Sequence, residues 1–395
     1  MSDQNARILE ISRLPGNDVC ADCRSPQVEY ASYNLGVFLC TTCVGIHRSM
    51  GTHISQTRHL RVDRWLDENQ IIFMEQHGNE VSNAHYERYL PDCYRRPDGC
   101  APAVLLEQFI RAKYEREEFL EPARQVGYMA STKSGHLMKR GRDAAKFEIR
   151  RFELSEATNT LSYYVKEGKH PKQTMSLQAM NVALVPEKVN HPNGMQITYV
   201  THGTIRHIFV YHNDGQTTID WYMAIRNAKL NYLRVAFPGH SAAELTADLT
   251  HDFHLEGWLH KIGPRAGDQY RRRWFTLDDR QLMYHDQPLD PVPKGVISIG
   301  EPPEWAVKEG VPPGSKDQWP EVCTGNRAAD AEYFGDRDLP SRELLHVPYH
   351  HQSYHSERWE RAIRGLNRHR TACTSFVRRC IRRAEARSGE YKSVV

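Results

Sequence analysis

Cys20-Ala-Asp-Cys23 and Cys40-Thr-Thr-Cys43 are two Cys-x-x-Cys pairs separated by sixteen residues, and the second runs straight on as Val44-Gly-Ile-His-Arg48-Ser-Met-Gly51. The pattern C-x2-C-x16-C-x2-C is that of a four-cysteine zinc site, in which each pair makes a tight knuckle and the four thiolates close a tetrahedron. A redox Cys-x-x-Cys needs one pair rather than two and leaves the spacing unexplained. One zinc ion held by Cys20, Cys23, Cys40 and Cys43 is therefore expected. A closed four-thiolate shell leaves no open position for water, so the metal is expected to build structure rather than perform chemistry. His47 and His53 then read as packing and hydrogen-bonding residues. Helical spacing after the second knuckle puts Arg48 about one turn beyond the metal anchor. A guanidinium is always charged and presents forked donors. By residue type alone Arg48 suits either phosphate oxygens outside its own subdomain or the carbonyls and carboxylates within it.

Outward from this stretch, the chain has 395 residues, which predicts two to four domains with real cores. Hydrophobic residues at 39% and charged residues at 26% match an ordinary folded, water-soluble chain. The net charge of +3 is too small for a nucleic-acid binder, and no ββα finger pattern is present, so DNA recognition is disfavoured and anion binding must come from local clusters. The opening MSDQNARILEISRLPG lacks the features of a secretory signal and no apolar run approaches a membrane span, so an intracellular protein is expected. Of nine cysteines, Cys93, Cys100, Cys323, Cys373 and Cys380 show no ligand spacing and read as buried or incidental thiols.

The fold class expected is multidomain α+β. From Arg61 to about Phe119 the sequence reads as helices, one beginning at Ala101-Pro102 and running through LLEQFIRAKYEREEF with Leu105, Phe109, Ile110 and Tyr114 on one face. Beyond a polar linker, KFEIRRFEL, TLSYYV, MQITYV and RHIFVYH read as strands. This second part repeats. Gly135-His-Leu-Met-Lys139 returns as Gly257-Trp-Leu-His-Lys261, and Arg150-Arg-Phe-Glu-Leu154 as Arg273-Trp-Phe-Thr-Leu277. Leu161-Ser-Tyr163 returns as Leu282-Met-Tyr284, Pro171-Lys172 as Pro293-Lys294, and Trp221-Tyr-Met-Ala-Ile-Arg226 as Trp359-Glu-Arg-Ala-Ile-Arg364. Five patches in one order imply a duplicated domain, since solenoid repeats run to roughly 20 to 50 residues. The offset grows from 122 residues at Gly135 and Gly257 to 138 at Trp221 and Trp359, so the second copy carries sixteen extra residues late in its strand region. That stretch, at about 315–342, is polar and shows no clear strand pattern.

The run from Cys20 to Trp65, with ASYNLGVFLC, CVGIHRSMGTHIS and Asp63-Arg-Trp65, and then Gly78-Asn79 and FIRAKYEREEF, resembles the catalytic domain of Arf GTPase-activating proteins. Followed by the duplicated domain, the chain resembles the centaurin-α type, an Arf-GAP domain with two pleckstrin-homology domains. The resemblance implies an Arf-GAP zinc-finger domain over 5–122, a first pleckstrin-homology domain over 131–233, a second over 253–368 and a basic tail over 369–395. Each pleckstrin-homology domain is a seven-stranded, barrel-like bent sheet closed by a helix. It implies that Arg48 is an arginine finger for GTP hydrolysis on the GTP-bound Arf partner, which brings the nucleotide and magnesium. The protein is then a regulator completing another active site, recruited from the cytoplasm to the plasma membrane. Tyr30 replaces the family's usual Trp and Val62 its Leu, both keeping an apolar body.

In pleckstrin-homology domains that bind phosphoinositides, a first-strand lysine, a second-strand arginine, a tyrosine and a downstream basic residue clasp the phosphates. Lys139, Arg150, Tyr163 and Lys172 match those positions in the first copy, and Lys261, Arg273, Tyr284 and Lys294 in the second. The K-x(n)-[KR]-x-R pattern is complete in the second copy through Arg271, whereas the first has Glu148 there. Phosphatidylinositol 3,4,5-trisphosphate is the lipid the resemblance implies; the alternative reading is a non-catalytic scaffold joining Arf to phosphoinositides. The tail SFVRRCIRRAEAR reads as a basic helix, solvated or leaning on a membrane, and Ser393-Val-Val395 as either a triplet that suits a PDZ groove or a chance one. With the modules read as separate, metal removal is expected to unfold the first and spare the second.

Overall fold

The computed structural model describes residues 3–141, 146–247, 249–261, 271–278 and 281–298, together with the strand backbones at 305–310, 319–324 and 344–346. Two compact units emerge, Met1–Thr250 and His251–Val395.

The first unit opens with α1 (Asp3–Ile11), then a small antiparallel sheet of β1 (Tyr30–Ser32), β2 (Val37–Leu39) and β3 (Thr57–His59), with β1 central. Between β2 and β3 lies α2 (Thr41–Ser49). Its N-cap is Cys40, whose sulfur accepts from the Cys43 amide at 3.5 Å, so the second knuckle and the helix start are one structure. The short helices α3 (Glu68–Gln76) and α4 (Gly78–Tyr86) follow. Asn79, 1% exposed, explains why Gly-Asn stands here: its Oδ1 accepts from Phe38 N at 2.7 Å, and its Nδ2 donates to Gly16 O and Val19 O at 3.0 and 2.7 Å. One amide thus ties β2 to the loop entering the first knuckle. Trp65 fills a separate small core with Ile8, Phe38 and Leu60.

The helix expected from Pro102 is α5 (Ala103–Ile110), and it does not run on to Phe119. It widens into a π-helical turn at Arg111–Glu115, closed by Arg116 N to Arg111 O at 2.8 Å. The wider turn lets Ala112, Lys113 and Tyr114 all face inward, which an α-helical stripe does not allow. After α6 (Val126–Met129), a seven-stranded antiparallel sheet is built from β4 (Thr132–Arg140), β5 (Phe147–Ser155), β6 (Thr160–Tyr164), β7 (Gln173–Ser176), β8 (Met180–Leu184), β9 (Met195–Thr201) and β10 (Thr204–Tyr211), in the order β7-β6-β5-β4-β10-β9-β8. The short α7 (Pro186–Val189) joins β8 to β9, and α8 (Gly215–Ala236) closes the sheet with Trp221 buried beneath it, followed by α9 (Ala242–Ala247).

The zinc-finger module and this sheet share one core. A continuous hydrophobic cluster runs from Cys43 and Phe109 through Phe119 and Tyr128 to Trp221, Ile197 and Met195. Across the junction Arg226 Nε donates to Cys93 O at 2.8 Å, Arg95 Nη1 to the Tyr222 hydroxyl at 3.2 Å, and Arg234 pairs with Asp92 at 2.5 Å. The expectation that metal loss spares the second module is therefore revised, because the two are packed as one body.

The second unit repeats the topology: β11 (Leu255–Lys261), β12 (Arg271–Leu277), β13 (Gln281–His285), β14 (Gly295–Ser298), β15 (Trp305–Gly310), β16 (Trp319–Thr324) and β17 (Leu344–His346), in the order β14-β13-β12-β11-β17-β16-β15. The irregular stretch thus does supply a strand, β16, which pairs on both sides. The duplication is also one of register. Gly135 stands opposite Phe152 and Gly257 opposite Phe275, while Lys139 stands opposite Glu148 and Lys261 opposite Arg271. The helix expected around Trp359, the basic tail and the terminal Ser-Val-Val lie outside the described residues.

Candidate functional site

The four cysteine ligand atoms lie within 4.8 Å of one another, and all four residues are buried. Cys23 and Cys40 are 3.6 Å apart, sulfur to sulfur. A tetrahedron with metal–sulfur bonds of about 2.3 Å has edges of about 3.8 Å, so the cage fits zinc. Hydrogen bonding with Cys20 holds the Cys23 and Cys40 thiols below the ordinary thiol range, while bonding with Cys23 pushes Cys20 above it and bonding with Cys20 does so for Cys43. A divalent cation relieves this competition by replacing the shared protons.

Behind the cage is a buried polar network that sequence reasoning missed. His47 is fully buried, its Nδ1 2.8 Å from Ser55 Oγ and its Nε2 3.1 Å from Asp22 Oδ2. The other oxygen of Asp22 accepts from Lys113 Nζ and the Tyr114 hydroxyl, both at 3.0 Å. Lys113 also reaches Asn83 Oδ1 at 2.6 Å and Glu87 at 2.8 Å, and Glu87 pairs with Arg96. Burial opposes charge on Asp22, but Lys113 and His47 outweigh it and hold the carboxyl well below the usual range. Burial brings Lys113 down to about 8. Asp22 lies between the two cysteines of the first knuckle, and Lys113 lies on the π-helical turn. The network therefore locks the first knuckle, α2 and α5 together.

One residue past the pinned His47, Arg48 is exposed. Its guanidinium lies 5.0 Å from the centre of the Tyr30 ring, and Nε donates to Thr57 Oγ1 at 3.2 Å. The Tyr ring meets His59 edge-on at 4.8 Å. Tyr30 thus supplies the face on which Arg48 rests, and neither Nη group is hydrogen-bonded to any described residue. The side chain is a charged fork, aimed by stacking and one hydrogen bond, with its outer donors turned to solvent. Val62 and Leu66, 77% and 70% exposed, flank the buried Trp65 just beyond β3.

In the first duplicated module Lys139 Nζ sits 4.9 Å from the Tyr163 ring centre and donates to Arg140 O at 2.9 Å. Arg150 pairs with Glu148 and donates to Ile149 O at 2.9 Å. Lys172 is exposed, its amide bonded to Tyr163 O at 2.8 Å. The second module matches closely. Lys261 Nζ is 5.1 Å from the Tyr284 ring centre, Arg271 is exposed, and the Lys294 amide bonds to Tyr284 O at 2.8 Å. Here Asp286 takes both Arg273, at 2.8 Å, and Lys294, at 2.5 Å. In each module the matched cations and tyrosine thus gather at one end of the sheet with a carboxylate among them. Among the described residues no helix is long and apolar enough to cross a membrane.

Comparison with known proteins follows the same division. Residues 5–123 match the ArfGap family, described as "Putative GTPase activating protein for Arf", and residues 131–230 and 253–301 match the PH domain family. The rat Arf-GAP with dual PH domain-containing protein 2 is 39% identical over 320 residues, covering 79% of this chain and 84% of that protein. Its human counterpart is 38% identical over 320 residues, covering 79% and 83%. The Arabidopsis thaliana ADP-ribosylation factor GTPase-activating protein AGD12 is 40% identical over 120 residues, 30% of this chain and 36% of its own length.

Proposed function

This chain belongs to the family of Arf GTPase-activating proteins with dual PH domains, and on that premise we propose that Arg48 is its arginine finger. Its two PH sheets bring it to phosphoinositide-bearing membranes, with phosphatidylinositol 3,4,5-trisphosphate the favoured lipid and the plasma membrane the favoured site. The observation that carries the first part is the contrast between neighbours: His47 is fully buried and held on both ring nitrogens, while Arg48 is exposed with its Nη groups free to leave the chain.

In this reading one structural zinc, held by Cys20, Cys23, Cys40 and Cys43, fixes the start of α2, and the Asp22–Lys113 network fixes its side. The fork of Arg48 then enters the active site of a GTP-bound Arf protein and neutralises charge spreading over the β and γ phosphates, a contribution of about 10³ to 10⁵ in rate. Exposed Val62 and Leu66 offer the adjoining apolar surface for a protein partner. The chain acts as a regulator, since nucleotide and magnesium come with the Arf protein.

The membrane part is supported by cations and a tyrosine from adjacent strands converging at one end of each sheet, a donor set suited to clustered phosphates. Single-turnover GTP hydrolysis by purified Arf proteins on vesicles tests the whole reading. The chain accelerates hydrolysis, and trisphosphate lipid in the vesicles increases the effect. Binding to Arf without acceleration would establish the scaffold reading instead.

A further inference from the structure

The strands of the first PH sheet obey a simple rule at one end. Side chains alternate between faces, so residues of one parity continue the core face past the point where the core stops. On β4 the buried Leu137 is followed on that face by Lys139; on β5 the buried Leu154 and Phe152 by Arg150 and Glu148. On β6 Leu161 gives way to Tyr163, and on β9 Ile197 is followed by Tyr199, still buried at the rim of the core. On β10 the buried Val210 and Ile208 lead to Arg206. The register puts Val210 opposite Lys139, so Arg206 lies four residues further along, past the last residue of β4, and directly opposite Tyr199.

Arg206 is half-buried, its Nε is shielded from solvent, and it makes no hydrogen bond or ion pair with any described residue. An arginine held in this way without a partner is a donor waiting for an acceptor. Its charge is felt by the two tyrosines of the same face. Burial raises the hydroxyl pKa of Tyr163 and of Tyr199, and the positive charge of Arg206 pulls both back, joined at Tyr163 by Arg150. Lys139, 4.9 Å from the Tyr163 ring centre, and the charges of Arg150 and Arg206 thus all bear on this one tyrosine, from three strands. Arg150 is at the same time engaged by Glu148, which stands opposite Lys139 where the second copy has Arg271.

We propose that Arg206 is the third cation of the first PH anion site, taking a phosphate next to the one clasped by Lys139 and Arg150. It thereby supplies from β10 the charge that Glu148 removes from β5. The ligand class is a headgroup with neighbouring phosphates, such as a polyphosphorylated inositol; the inference rests on the lipid-binding reading of this module.

The test uses the full chain carrying Arg273→Ala, which silences the second copy. Calorimetry with inositol 1,3,4,5-tetrakisphosphate and flotation with phosphatidylcholine vesicles holding the trisphosphate lipid are the readouts. Arg206→Gln in this parent is expected to weaken headgroup binding about tenfold or more, the scale of lost charge-assisted hydrogen bonds. Arg206→Lys, which keeps the charge, retains most of the binding; equal loss in both would mark a merely structural role and overturn the proposal. Unchanged binding in Arg206→Gln while Lys139→Ala loses it would remove Arg206 from the site and leave the lipid reading standing. A parent that binds neither headgroup nor vesicles would overturn both. Displacement of the headgroup by an equal concentration of inorganic phosphate would identify a generic anion site and overturn the proposal as well.

Discussion

Asp220 offers a sharp test of the junction between the zinc-finger module and the first PH sheet. It lies on α8 against α6: its Oδ2 comes within 2.8 Å of where a Cβ on Gly127 would stand, so the carboxylate rests close on the glycine backbone. Lys133 Nζ, on the other side, donates to Gly127 O at 2.5 Å. Burial raises the Asp220 carboxyl to about 6, with the attraction of Lys133 opposing the shift only in part. A carboxyl raised in the folded state contributes stability that is fully present below its unfolded value of about 3.9 and is lost as the pH climbs through about 6. Above that the charged form costs the fold on the order of 3 kcal/mol, from roughly two pH units at about 1.4 kcal/mol each. Asp220→Asn keeps the shape and removes the titration. It should therefore stabilise the first unit by about 2 to 3 kcal/mol at pH 7.5 and by nothing at pH 4, and its pH–stability curve should be flatter between these limits. For a body of this size the gain is about 4 to 12 °C in melting temperature, measured by calorimetry across that pH range. An equal gain at both pH values, or a loss at pH 7.5, would refute the assignment of a buried, strained charge at this junction.

Chelating the metal should unfold the first PH sheet together with the zinc-finger module. A structural zinc contributes roughly 10 to 16 kcal/mol, as much as the whole stability of a typical domain, and the two share one core. Hydrogen exchange reads this directly, and persistent protection of β5 amides after chelation would contradict it. Lys113→Met leaves Asp22 as a buried carboxylate without its lysine and Glu87 with Arg96 alone, and should cost about 3 to 5 kcal/mol in chemical denaturation. A loss under about 1 kcal/mol would show that the network is not what locks α2. Lys139→Ala with Arg150→Ala, or Lys261→Ala with Arg273→Ala, should each weaken sedimentation with trisphosphate vesicles, and the four together should abolish it. Unchanged sedimentation would remove these residues from the membrane contact.

The features legible in the sequence are those written in local spacing. Two Cys-x-x-Cys pairs imply a cage without any tertiary information, and alternation in KFEIRRFEL or RHIFVYH implies a strand because a half-buried sheet has period two. The duplication is legible because each copy places the same residue types in the same order, such as the lysine near the end of the first strand. What the sequence hides is tertiary in origin. Asp22 and Lys113 are 91 residues apart, and nothing near either predicts that they meet. Lys113 in FIRAKYE looks like an exposed helical lysine until the π-helical turn directs it inward. The junction is equally silent, since Arg226 closes on a backbone carbonyl, Cys93 O, that carries no sequence signature. β16 escapes pattern reading because WPEVCT owes its extended form to partners on both sides rather than to alternation. Arg206 was in plain view on a strand, but its meaning depends on knowing which face of β10 continues the core.

In the proposed mechanism the zinc cage and its buried network aim one exposed guanidinium, and Arg48→Lys alters that group alone. Lysine keeps the charge and much of the length but lacks the planar fork. In single-turnover GTP hydrolysis on vesicles, with Arf proteins loaded with GTP, the variant is predicted to lose about three orders of magnitude or more of the stimulated rate while its melting temperature and Arf binding stay unchanged. Equal stimulation by the wild type and Arg48→Lys would show that Arg48 is not the finger and would contradict the account.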